Sequence, residues 1–190
     1  SAKARAALDH ALELVGAGKD PLPAFNEAIE LAADIGRQNP SDPENWVTLI
    51  QARLRFSEYL ARTQKDATPQ IQAMARDREQ LLKVNRKEGV IQGGALAMGM
   101  YLQSYFEAAH GKDARPMLDK ALPFAREAVG MDENNPAVQG WYASILGARG
   151  DAESSHHGDP RRWISESAGV WQRILARPPK MLPAAVNGAL

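Results

Sequence analysis

Apolar and small residues recur along this chain at the three- and four-residue spacing that places them on one face of an α-helix. Three such runs are Phe25, Ala28, Ile29, Ala32 and Ile35, then Leu118, Ala121, Leu122, Ala125, Ala128 and Val129, then Ile164, Ala168, Trp171, Ile174 and Leu175. Helix starts are marked by Ser41-Asp42-Pro43 and Asn134-Asn135-Pro136. The pattern predicts eight helices, at about 2–17, 22–37, 43–63, 68–85, 88–110, 115–131, 136–155 and 160–176.

Four similar segments recur at a nearly constant interval. They are 18–25, 64–71, 111–118 and 157–164, and the third residue of each is an aspartate: Asp20, Asp66, Asp113 and Asp159. The aspartates are 46, 47 and 46 residues apart. Aspartate caps helix N-termini, and the proline three residues later in the first three segments is tolerated in a first turn. Each segment therefore ends a loop and opens a helix, which predicts a repeat of two helices.

The second helix of the repeat resembles the tetratricopeptide repeat, which has small residues there, then a proline, then an aromatic residue in the next helix. The matching positions are Ala28, Ala32, Ile35, Pro40 and Trp46, then Ala121, Ala125 and Ala128 with Glu133 in place of proline, then Ser167, Trp171, Ile174 and Pro179. The second copy departs from the pattern at Met74, Arg78, Leu81 and Arg86. The period is longer than the usual 34 residues by about 12.

This long form, with its Gly-x-Asp-x-x-Pro segment, resembles repeat arrays C-terminal to the kinase domain of some bacterial serine/threonine protein kinases. The resemblance implies an all-α fold, a right-handed superhelical stack of about four antiparallel helix hairpins. The repeats would cover about 1–40, 41–87, 88–133 and 134–179. A repeat domain would thus span 1–176, followed by a proline-containing tail over 177–190.

The same resemblance implies a scaffold that binds a peptide or a partner domain in a concave groove lined by the first helices. If Trp46 is aligned with the aromatic residue of the tetratricopeptide pattern, the positions that would face the groove are candidate partner-binding residues. They are Gln51, Leu54, Arg55, Met98, Tyr101, Leu102, Tyr142 and Arg149. The identity of the partner does not follow from the sequence.

Composition and charge narrow the function classes. The 190 residues are 44% hydrophobic, which is typical of a globular protein, and they contain no cysteine, which excludes disulfides and thiolate chemistry. There are 23 basic residues (Lys and Arg) and 23 acidic residues (Asp and Glu). The sequence shows no basic stripe of the kind that is typical of proteins that bind nucleic acid. The most apolar stretch, 89–100, is too short to span a bilayer, and no signal peptide is visible. We therefore expect a cytoplasmic protein that binds neither membranes nor nucleic acid.

Two motifs suggest chemistry and fail on their spacing. The segment Gly16–Asp20 lacks the upstream glycine and the Ser or Thr after lysine that a phosphate loop needs. The pair His156 and His157 is adjacent, whereas two ligands on one helix face are four residues apart. We expect no metal, no cofactor and no catalytic residue, hence not an enzyme.

The predicted fifth helix contains three glycines, Gly93, Gly94 and Gly99, in a stretch of seven residues. Each glycine inside a helix lowers its stability by about 1 kcal/mol relative to alanine. Close approach of neighbouring helices is the favoured explanation. The alternative is room for a ligand, which would make this an enzymatic or small-ligand-binding helical domain. A third hypothesis is self-association, in which the proline-containing tail or an end hairpin packs on a second copy, since Trp163 and Trp171 in the last repeat would leave apolar surface exposed.

Overall fold

The computed structural model describes residues 2–177, and all of the regular secondary structure in that range is helical. The helices are α1 (Ala2–Gly16), α2 (Leu22–Gln38), α3 (Pro43–Arg62), α4 (Thr68–Val84), α5 (Arg86–Ala109), α6 (Arg115–Met131), α7 (Pro136–Ser155) and α8 (Arg161–Leu175). Each begins and ends within two residues of its predicted bounds, so the all-α prediction is confirmed. The predicted tail lies outside the described residues except for Arg177.

Each helix packs against the next one in the chain, and the odd-numbered helices also contact one another in the order α1, α3, α5, α7. The even-numbered helices pack against the odd-numbered helices that precede and follow them. One cluster of buried apolar residues joins α1 to α5 and a second joins α5 to α8. Met100 and Phe124 pack against both clusters, so the apolar core continues along the row.

The turn after each odd-numbered helix contains a residue in the left-handed conformation at the same repeat position. Positive φ angles occur at the first residue of all four repeated segments: Gly18 (66°), Gln64 (53°), Gly111 (73°) and His157 (60°). The amide of the next residue donates back to the helix, as Lys65 does to the Leu60 carbonyl at 2.8 Å and Lys112 to Glu107 at 2.9 Å. This geometry closes a helix C-terminus by satisfying its last carbonyl groups.

The repeated aspartates then open the even-numbered helices, as predicted. The amides of Leu22, Thr68, Arg115 and Arg161 donate to the carboxylates of Asp20, Asp66, Asp113 and Asp159 at 3.1, 2.9, 2.9 and 3.0 Å. The formal helix starts at the second residue after the aspartate. The residue between them already belongs to the first turn, because its carbonyl accepts an amide four residues on, as Pro21 does from Phe25.

The junction between α4 and α5 is a single residue, Asn85. Its amide donates to the Leu81 carbonyl at 2.7 Å and its side chain accepts the Glu88 amide at 3.1 Å, so it closes one helix and caps the next. Because the connection is so short, the backbones of α4 and α5 come close together next to it. A Cβ at Gly89 would lie 2.7 Å from Leu82 Cδ2 and 2.9 Å from the Leu82 backbone nitrogen, which explains the glycine.

Replacement of the two non-glycine left-handed residues should stabilise the protein. We expect Gln64→Gly and His157→Gly each to raise the free energy of unfolding by about 1 kcal/mol, because an L side chain in this conformation is strained. Urea denaturation monitored by circular dichroism measures the change. Gly111→Ala is the control and should destabilise by a similar amount; if both glycine variants were less stable than the parent, the assignment of strain to this turn would be wrong.

Addition of a methyl group at the α4–α5 junction should destabilise the fold. We expect Gly89→Ala to lower the free energy of unfolding by about 1–3 kcal/mol, because the backbone atom it would meet cannot rotate away. The matched control is Gly130→Ala in α6, where a Cβ meets nothing within 4 Å and helix propensity predicts a gain of up to about 1 kcal/mol. Equal effects at the two positions would contradict the close approach.

Candidate functional site

One side of the odd-numbered helices carries residues that are not buried. Positions spaced by four, three and four residues share one side of a helix. Because the repeat offset is 47 and then 46 residues, equivalent sets occur on α3, α5 and α7. We call this set the odd-helix face: Gln51, Arg55, Glu58 and Arg62; Met98, Leu102, Tyr105 and Ala109; Ser144, Ala148, Asp151 and Ser155.

An apolar cavity of about 130 Å³ lies on this face between α5 and α7. Four alanines, among them Ala148, form the apolar part of its lining together with Leu118, and Tyr105 and Asp151 are among its polar members. The Tyr105 side chain is about half exposed. Its ring meets that of Tyr101 edge-on, with ring centroids 5.0 Å apart, and the two hydroxyl oxygens are 2.9 Å apart. Burial, with the Tyr105 hydrogen bond, raises the pKa of the Tyr101 phenol, so this phenol is neutral at physiological pH.

A second, smaller depression of about 30 Å³ lies between α1 and α3 and has a charged rim. Arg55 and Glu58 form an ion pair of 2.9 Å there, and Arg62 lies on the same rim. Leu12 is 40% exposed and also contributes to the lining. The odd-helix face is thus charged on α3, aromatic and apolar on α5, and composed of small residues and Asp151 on α7.

Five of the eight predicted site residues lie on the odd-helix face or beside it. Gln51, Arg55, Met98 and Leu102 are on the face. The Gln51 amide also donates to buried Gln92 of α5 at 2.7 Å, which links α3 to α5. Tyr101 precedes Leu102 of the face, and its ring and hydroxyl contact those of Tyr105.

The other three predicted residues do not line this face. Leu54 is 1% exposed and belongs to the core. Tyr142 is buried, and its hydroxyl donates to Glu166 of α8 at 2.5 Å. Arg149 Nε donates to Asp119 of α6 at 2.6 Å, and its guanidinium lies 5.0 Å from the Trp163 ring of α8. Tyr142 and Arg149 therefore tie α7 to the even-numbered helices.

The predicted residues of α7, Tyr142 and Arg149, miss the odd-helix face for a geometric reason. The repeat offset from α5 to α7 is 46 residues, so Leu102 corresponds to Ala148 and not to Arg149. A shift of one residue turns a side chain by about 100° around the helix axis. The same offsets applied to Glu58 lead to Tyr105 and Asp151, which the sequence analysis did not select although the repeat spacing contains the signal.

The glycines of α5 lie where other helices approach. A Cβ at Gly94 would be 3.0 Å from Trp141 Cε3, and one at Gly99 would be 3.3 Å from Ile71 Cγ1. One at Gly93 would be 3.1 Å from Arg78 Nε. Side chains of neighbouring helices occupy the space beside these residues, which supports close helix packing as the reason for the glycines.

The remaining candidate chemistry has local structural roles. His156 Nδ1 lies 2.9 Å from the Ala152 carbonyl and its Nε2 is 3.7 Å from Asp113. The Asp113 pKa is held at about 2 mainly by its hydrogen bonds from Arg115. Over residues 2–177, no group of three His, Asp or Glu side chains is arranged to hold a metal ion. Within the same range, no helix combines the length and apolarity of a membrane span.

No protein-family model, curated protein or solved structure matches this chain.

Arg149 offers a test that separates a structural side chain from a binding one. We expect Arg149→Ala to lower the free energy of unfolding by about 1–2 kcal/mol, because it removes the Trp163 contact and the hydrogen bonds that a side chain only 12% exposed donates to Asp119 and Glu153. Thermal and urea denaturation measure the loss. The control Arg62→Ala, on the exposed rim, should change stability by less than about 0.5 kcal/mol. A fully stable Arg149→Ala variant would return this residue to the list of candidate binding residues.

Proposed function

We propose that this chain is a tetratricopeptide-like protein-interaction module. In this proposal the helices form a right-handed superhelical stack of four antiparallel hairpins, and the odd-helix face is its concave binding surface. Two observations support the proposal. A left-handed turn residue and a capping aspartate recur together at 46- or 47-residue intervals, and the odd-numbered helices contact one another in a continuous row from α1 to α7. In such arrays each hairpin buries its apolar face against its neighbours, which leaves one side of the first helices available to a ligand.

The observation that carries the proposal is Tyr105, half exposed at an apolar cavity in the middle of the odd-helix face. Tyrosine is enriched among residues that dominate binding energy, because its ring offers apolar area and its hydroxyl a polar contact. Drug-sized ligands occupy roughly 300–1,000 Å³. A cavity of about 130 Å³ is better matched to a single apolar side chain, which favours a peptide or protein segment as the ligand.

The charged residues around this anchor suggest how a bound segment is oriented. Arg55 and Arg62 on α3 present guanidinium groups, and Asp151 on α7 presents a carboxylate. A segment crossing the odd-numbered helices would place an apolar side chain between Tyr105 and Ala148, with polar groups toward α3. Rim charges of this kind contribute mainly to association rate and to partner choice.

Self-association through α8 is a second candidate, which one observation favours. Ile164 occupies the repeat position of Phe25, Ile71 and Leu118, which are all buried, yet it is 46% exposed. Leu175, three turns further along α8, is 48% exposed. Sedimentation velocity distinguishes the two hypotheses, because a chain that stays monomeric at high concentration does not use α8 to pair with a second copy.

Site-specific photo-cross-linking tests the odd-helix face. With a benzophenone amino acid at position 105, we expect a discrete cross-linked partner in an extract of cells that express the protein. Position 72, exposed on α4, is the matched control and should give none. Ala148→Met in the same background fills the cavity and should suppress the cross-link. A product of equal yield at both positions, or one insensitive to Ala148→Met, would argue against this surface.

A further inference from the structure

A cleft of about 330 Å³ with several charged residues in its lining opens between α2 and α4, over one side of α3. Its lining from α3 is Trp46, Leu49 and Arg53, while Arg37 comes from α2 and Arg76 from α4. These α3 residues lie on the opposite side of the helix from Gln51 and Arg55, since 100° per residue separates the two sets by roughly half a turn. The cleft is therefore distinct from the odd-helix face and independent of the function proposed for it.

The cleft carries excess positive charge in a chain whose formal net charge is zero. Three arginines line it against one carboxylate, Asp77. Arg37 pairs with Asp34 outside the lining, whereas Arg76 forms no ion pair within residues 2–177. One guanidinium charge thus remains without a carboxylate at the cleft.

Arg53 is held in place at the base of the cleft. Its side chain is 16% exposed, its Nε donates to Asp77 Oδ2 at 2.7 Å, and its Nη1 donates to Gln70 at 3.0 Å. Burial raises the pKa of Asp77, and the charge of Arg53 opposes that shift. A guanidinium has five N–H donors, so three remain beyond these two bonds. An arginine fixed in this way loses little side-chain entropy when an anion binds.

Two apolar side chains, Trp46 and Leu49, contribute to the floor of the cleft. The Trp46 indole N–H donates to the Pro40 carbonyl at 2.9 Å, so its polar atom is already satisfied. Its six-membered ring packs near Gly36, where a Cβ would lie 3.6 Å from Cζ3. Leu49, one turn along α3, extends the floor. An aromatic ring beside guanidinium groups is suited to a planar ligand that also carries negative charge.

The two equivalent positions further along the row are filled by the protein's own side chains. Between α4 and α6, the Arg78 guanidinium lies 5.0 Å from the Phe124 ring and donates to the Gly89 carbonyl at 2.8 Å. Between α6 and α8, Tyr142 bridges Arg126 and Glu166. Over α3, by contrast, Trp46 and Arg53 line an open cleft.

We propose that the α2–α4 cleft binds a small organic oxyanion, a carboxylate or phosphate carried on a planar apolar group. The oxyanion contacts the guanidinium groups of Arg53 and Arg76, whose fork geometry matches both chemistries. The planar group lies on Trp46 and Leu49. The volume falls within the range of about 300–1,000 Å³ that is typical of small-molecule sites.

Titration of the ¹⁵N-labelled chain with phenyl phosphate and with benzoate, followed by NMR, tests the site. We expect the indole N–H of Trp46 and the Nε–H of Arg53 to shift, with a dissociation constant on the order of 1 mM or tighter for at least one probe. The tighter probe identifies the preferred oxyanion. Inorganic phosphate, which lacks the ring, should bind about tenfold more weakly.

Paired variants show whether the arginines hold the ligand. Arg76→Gln should weaken the tighter probe about tenfold, because it removes a charge-assisted contact, and Arg76 is exposed enough for the fold to tolerate the change. Arg173→Gln, on exposed α8, should leave binding unchanged. The proposal is overturned by the absence of shifts at Trp46 and Arg53 up to about 10 mM probe. Equal effects of the two variants, or phosphate binding as tightly as phenyl phosphate, would also overturn it.

Discussion

A left-handed residue followed two positions later by an aspartate reverses the chain after each odd-numbered helix. The left-handed residue lets the next amide return to the helix it leaves, and the aspartate accepts an amide of the helix that follows. Four copies at 46- or 47-residue intervals make each pair of helices a unit of the same length. The equivalence of positions on α3, α5 and α7, and hence the existence of a common face, depends on this turn.

Contacts between tryptophans and glycines set how closely neighbouring helices pack. Trp46 lies against Gly36, Trp141 against Gly94 and Trp171 against Gly140, each at a distance where a Cβ would touch or crowd the ring. A glycine on one helix thus receives a tryptophan from a neighbouring helix at three places along the row. Because this packing fills the interior, the space left for ligands is on the outside, on the odd-helix face and in the α2–α4 cleft.

Helix positions were predictable because their causes are local. The caps at Asp42, Asn135 and the repeated aspartates act within two or three residues, and the apolar periodicity of each helix is present in its own sequence. The site was predictable only in part. Gln51, Arg55, Met98 and Leu102 share the repeat register of the odd-helix face, whereas Tyr142 and Arg149 do not and contact α8 and α6 instead. The α2–α4 cleft has no sequence signature, because its arginines come from three separate helices.

By itself the sequence determined the all-helical class, the helix boundaries and the period of the repeat, since capping, turn geometry and hydrophobic spacing are short-range properties. Only the tertiary structure decided which side of each odd-numbered helix remains accessible. It also decided that Leu54 and Tyr142 are buried and that Arg53 pairs with Asp77. The physical reason is that burial and ion pairing depend on which helices meet, and a shift of one residue along a helix turns a side chain by about 100°, which exchanges an exposed position for a core contact.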